Sequence, residues 1–86
     1  MALIGPRLER EMNERPLDPL ALIVRVSGEM SAVENELVAV GVMVRRSLTL
    51  IKAFAVTATS SQVTVLADKP WVLSIELDEP MSALSS

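Results

Sequence analysis

The chain has no cysteine, no histidine and no tyrosine, and its only aromatic side chains are Phe54 and Trp71. Without cysteine there are no disulfides and no thiol nucleophile. Without histidine, the usual zinc sites and every scheme that needs an imidazole proton shuttle fall away. Two rings are too few for the stacking platform of a single-strand binder. Positive charge is also short: 8 Lys and Arg stand against 11 Asp and Glu, a net charge of -3 that offers a phosphate backbone no footprint. Long hydrophobic runs are missing too, because Arg25, Glu29, Glu34, Arg45, Lys52 and Asp68 interrupt every stretch that could span a bilayer. These absences argue against an independent enzyme, a metal or organic cofactor, a nucleic-acid partner and a membrane.

What is present is a chain of 86 residues, half of them hydrophobic, which suits one domain. A domain of this size buries roughly 60–65% of its unfolded-chain surface, enough for one core. With so few rings, that core must be built from Val, Leu, Ile and Ala. The first sixteen positions, MALIGPRLEREMNERP, lack the apolar stretch of a secretory signal, so the expected compartment is the cytoplasm.

Residues 1–19 differ from the rest, being rich in charge and carrying Pro6, Pro16 and Pro19. They read as a solvated N-terminal extension, in which Leu8 and Met12 have the spacing of a short helix from Arg7 to Arg15. The domain proper is expected over 20–78. Leu20 to Val26 is an apolar run bounded by Pro19 and by Ser27-Gly28, which predicts a buried strand. Ser31-Ala-Val-Glu34 has the pattern of a capping box, and Val33, Leu37, Val40 or Gly41, and Val44 follow at helical spacing. Val38, Val40, Val42 and Val44 also alternate as in a strand, where valine is favoured. The capping box and the length favour a helix over 31–45, with Arg45-Arg46-Ser47 as a polar break that complements the helix end. Leu48 to Thr57 predicts a long strand. Thr59-Ser-Ser-Gln62 opens a second, shorter helix with Val63 and Leu66 on one side, and Pro70 ends it. Trp71 to Leu77 predicts a last strand, and 79–86 is a tail.

The order strand, helix, strand, helix, strand predicts an α+β sandwich of ferredoxin-like type: a small antiparallel sheet with two helices on one face. The other face would carry Ala21, Ile23, Arg25, Ile51, Ala53, Ala55 and Thr57. These are mostly small and apolar, and an uncovered face of that kind marks a partner surface.

Residues 20–84 resemble the subtilisin propeptide family, which includes stand-alone inhibitors of subtilisin-like serine proteases. The stretch Phe54-Ala-Val-Thr-Ala-Thr-Ser-Ser-Gln-Val-Thr-Val-Leu66 is similar to the family's aromatic, small-residue, capped-helix pattern. Ala67-Asp-Lys-Pro-Trp-Val72 matches its polar pair, proline and valine opening the last strand. Ile75-Glu-Leu-Asp78 looks like the ending of that strand. The resemblance implies a sheet face, with Ile23, Ile51, Ala53 and Ala55 as contacts, that docks on two parallel surface helices of the protease. It assigns Glu76 and Asp78 to capping those helices, a role carboxylates suit because free amides and a positive dipole end await them there. It also implies that Met81, Ser82, Ala83 and Leu84 enter the substrate cleft, with Leu84 just before the bond a protease would cut. The chain departs from the family in the stiff Pro80, in Ser85 and Ser86 beyond the usual end, and in Arg45-Arg46 where a glycine-containing turn is common.

Two non-enzymatic functions follow. One is an inhibitor, or a chaperone-like prodomain, of a subtilisin-like protease. The other is a ferredoxin-like binding or regulatory module that forms a homodimer through the open face. An enzyme using carboxylates has little to support it: Glu34 and Glu36 would lie on different sides of a helix, and no glycine-rich loop accompanies them.

Overall fold

The computed structural model describes residues 2–78. From Leu20 onward the elements are β2 (Leu20–Val26), α2 (Met30–Val40), β3 (Met43–Leu48), β4 (Ala53–Ala58), α3 (Ser60–Ala67) and β5 (Val72–Leu77). Ahead of them stand β1 (Leu3–Ile4) and α1 (Pro6–Glu14). The strands form one sheet in the order β1-β5-β2-β4-β3. β2 is antiparallel to both β4 and β5, β3 is antiparallel to β4, and β1 runs parallel to β5. From β2 to β5 this is the split β-α-β arrangement of the ferredoxin-like class. The sheet is mixed and five-stranded rather than purely antiparallel, and three helices accompany it.

All three helices contribute to one core. β2 alternates buried and outward-facing side chains, so Leu22, Val24 and Val26 point inward. They meet Phe54 and Val56 of β4, Ile75 of β5, Val33 and Leu37 of α2, and Val63 and Leu66 of α3. Phe54 is the largest fully buried side chain, and Trp71 packs against the cluster from its margin.

The N-terminal segment belongs to this core, which corrects the expectation of a solvated extension. Leu8 is 1% exposed. The backbone is stitched in by Ala2 N donating to Ala67 O at 3.0 Å and Gly5 N donating to Ile75 O at 3.2 Å. Pro6 opens α1 where its missing amide proton is harmless. Glu11 accepts from Arg15 one turn later, which holds the guanidinium pKa above its ordinary value.

The helix expected over 31–45 is shorter. It starts one residue earlier, with Glu29 rather than Ser31 as its cap: the Glu29 carboxylate accepts from the Ser31 amide at 3.1 Å. It stops at Val40 because Gly41 turns left-handed at φ +99°, a conformation that favours glycine. The valine alternation beyond that point belongs to β3. The long strand expected over 48–57 is likewise broken by a 3-10 turn at Thr49–Ile51, closed by Lys52 at φ +50°. The second capping box forms as expected, and Gln62 works both ways. Its Oε1 accepts from the Thr59 amide at 2.9 Å, while its Nε2 donates to Gly41 O at 3.1 Å and so satisfies a carbonyl at the end of α2.

Candidate functional site

With every helix on one face, no layer covers the opposite face of the sheet among the described residues. Its composition follows from the strand registers, because directly paired residues share a face. Three rows cross the sheet. The central row runs Arg46, Ala55, Ile23, Glu76 across β3, β4, β2 and β5. One outer row is Leu48, Ala53, Arg25, Ser74, with Leu3 of β1 beyond it. The other is Met43, Thr57 and Ala21, reaching Asp78, whose amide donates to Ala21 O at 2.9 Å.

Two bulges shape this face. The register between β3 and β4 slips between Val44 and Arg46, leaving Arg45 without a ladder partner. An extra residue in one strand re-aims side chains and bends the edge. Here it sends the Arg45 guanidinium across the sheet, where Nη2 donates to Asp78 Oδ2 at 2.8 Å and approaches Val56 O at 3.5 Å. β4 and β2 lie between the strands that carry this pair, so the ion pair straps β3 to the end of β5 over the small Thr57 and Ala21. The second slip, between Arg25 and Val26 of β2, leaves Leu73 of β5 as the extra residue, and it is exposed.

The expected site residues fall into three groups. Ile23 and Glu76 lie on the open face, half-buried and exposed respectively. Ala53 and Ala55 also lie on it but are fully buried, which corrects their reading as direct contacts. Each alanine sits between longer cross-strand neighbours, Leu48 and Arg25 for one, Arg46 and Ile23 for the other. They keep the middle of the face low rather than meeting a partner themselves. Ile51 is in the 3-10 turn, off the ladder. Asp78 is on the face but already paired with Arg45. Met81, Ser82, Ala83 and Leu84 lie outside the described residues.

The sequence reading missed Leu3, Met43, Arg46 and Leu48 on this face. Leu3 and Met43 are 77% and 68% exposed. Met43, Arg46 and Leu48 were legible in principle, as an edge strand with charges placed to discourage stray pairing. A two-residue β1 leaves no periodicity to find.

Among the described residues no group of three or more acidic, His or Cys side chains could hold a metal ion. None of their helices is long and apolar enough to cross a membrane. A shallow cleft beside α1, lined by Arg10, Glu11, Arg15, Leu77 and Asp78, has its carboxylates already engaged by arginines. The face thus presents a mixed apolar and charged surface. No family model, curated protein or solved structure matches the chain.

Proposed function

We propose that the chain is a propeptide-like inhibitor, or a chaperone-type prodomain, of a subtilisin-like serine protease. The observation that carries this reading is the helix-free face of a β5-β2-β4-β3 sheet whose central strands bear Ala21, Ala53 and Ala55. With Ala53 and Ala55 buried and adding no bulk, docked helices would rest on Ala21, Ile23 and Leu48. Glu76, exposed on that face, is available to accept from the unpaired amides at a helix N-terminus. Asp78 would divide its carboxylate between Arg45 and a second helix end. The chain then runs from Asp78 toward Met81-Ser-Ala-Leu84, which would occupy the substrate cleft as a cleaved product does.

Such a role needs no catalytic group of its own. Binding only the native protease stabilises it by mass action, which is the chaperone function, and occupying its cleft is the inhibitory one. Both follow from one docked geometry.

The test is inhibition of a panel of subtilisin-like proteases by the full chain, Leu84→Ala, Leu84→Asp and a chain ending at Asp78. Competitive inhibition by the full chain is expected. An apolar anchor in a deep pocket costs roughly 1–3 kcal/mol on truncation to alanine, or roughly 5–150-fold in the inhibition constant. Leu84→Asp should be weaker still, because its carboxylate is desolvated without a partner. The chain ending at Asp78 should still bind but inhibit much less. Equal potency across all four rejects tail insertion, and no inhibition of any protease rejects the whole reading.

A further inference from the structure

The central row on the open face is complementary in charge to itself. In the central row, Arg46 stands at one end and Glu76 at the other, with Ala55 and Ile23 between. Both charged side chains are exposed, and neither has an ion-pair partner among the described residues. We propose that two copies of this chain associate through this face, about a two-fold axis parallel to the strands and passing between β4 and β2.

That axis sets β3 of one copy over β5 of the other, and β4 over β2. Arg46 then faces Glu76 of the second copy, and Glu76 faces the second copy's Arg46, so a single symmetry operation creates two ion pairs. The half-buried Ile23 lies over Ala55 of the second copy, whose small, buried side chain puts no bulk in its way. In one outer row Arg25 lies over the second copy's buried Ala53 and one strand away from the second copy's Arg25, with its head at the rim, where water screens the two like charges. Leu48 comes down beside the exposed Leu3 and Leu73. Aligned sheets pack with strands about 30° apart, which keeps central row on central row.

Charge also selects against the competing arrangement. A two-fold axis in the same plane but perpendicular to the strands would set β3 over β3 and β5 over β5. Arg46 would then face Arg46 and Glu76 would face Glu76. Like charges at such distances repel, and the strand-parallel axis is the one that relieves this.

The face spans roughly 19 by 17 Å, from ~4.8 Å between strands and ~3.3 Å per residue. That is small beside a standard interface of about 800 Å² per partner, so the dimer is reversible and concentration-dependent. The proposal does not rest on the protease reading, although both occupants would use one face and exclude one another.

The experiment is sedimentation equilibrium of the full chain over a concentration series, in low salt because ion pairs are screened. The wild-type mass should rise from the 9.3 kDa monomer toward twice that value. Arg46→Glu and Glu76→Arg should each weaken association by about tenfold or more, since either change faces two pairs of like charges. An equimolar mixture of the two variants should recover wild-type association, because each charge in the mixed dimer meets its opposite. Recovery on mixing cannot arise from a folding defect in either chain. A chain that stays monomeric up to about 1 mM, beyond the weakest useful affinity, overturns the proposal. So does a dimer indifferent to the single reversals, or a mixture no more associated than its components.

Discussion

Phe54→Ala is expected to remove a large share of the fold's stability and to lower its urea midpoint sharply. Phe54 is fully buried near the start of β4, in one core cluster with residues of β2, β5, α2 and α3. Removing a ring from such a site loses its transfer free energy and leaves a cavity, together about 3–5 kcal/mol. A chain of this length has only about 4–13 kcal/mol of stability in total, at the usual yield per residue. No second aromatic ring in the core interior can relax into the gap, because Trp71 lies at its margin. The measurement is urea unfolding followed by the fluorescence of that single tryptophan. A loss below about 1 kcal/mol would mean that Phe54 is not packed as described.

Leu8→Ala is expected to produce the next largest loss, about 2–5 kcal/mol for a buried leucine. Its interest is that the substitution falls in a segment whose sequence reads as solvated. In a solvated extension the change would lie within about 0.5 kcal/mol of wild type. Leu8 is the one fully buried side chain of α1, so a loss at the lower limit would mean that α1 detaches while β2 to β5 stay folded. Amide exchange separates the two outcomes: local detachment exposes residues 6–14 alone, whereas global loss exposes β2 and β4 as well.

These two residues also mark where the sequence could be read and where it could not. The strand of Phe54 was legible in its second half, where Phe54 and Val56 alternate with small residues. Its first half misled, because Thr49, Leu50 and Ile51 are good strand formers and Lys52 takes a left-handed turn without being glycine or asparagine. Leu50 is 100% exposed at the tip of the resulting hairpin, a position no alternation rule would assign it. α2 was overextended for a related reason. Val40 and Gly41 both fit the helical spacing, yet Gly41 is the left-handed residue that ends the helix. Leu8 and Met12 did carry the helical signal of α1, but highly charged surroundings argued for solvent. The charges lie on the outer side of α1, and a short amphipathic helix needs only one buried leucine to dock.

The open face divides in the same way. Ile23 and the low alanines were visible as alternation within β2 and β4, which depends only on local geometry. Arg46, Met43 and Leu48 depended on recognising β3 as an edge strand, and the Arg45–Asp78 strap depended on a bulge. Pairings between residues thirty-three positions apart leave no trace in local periodicity.

The open sheet face is the proposed docking surface for a subtilisin-like protease. Ile23 tests it most directly, lying in the central row and half-buried, with its neighbour Glu76 able to tolerate a new positive charge. The measurement is calorimetric titration of the full chain and of Ile23→Arg into an inactivated subtilisin-like protease, at concentrations where the chain is monomeric. The account predicts one-to-one binding by the full chain. It predicts binding weaker by about tenfold or more for Ile23→Arg, with an unchanged unfolding midpoint, because the new charge would be desolvated under the docked helices. Equal affinity of the two chains would contradict it.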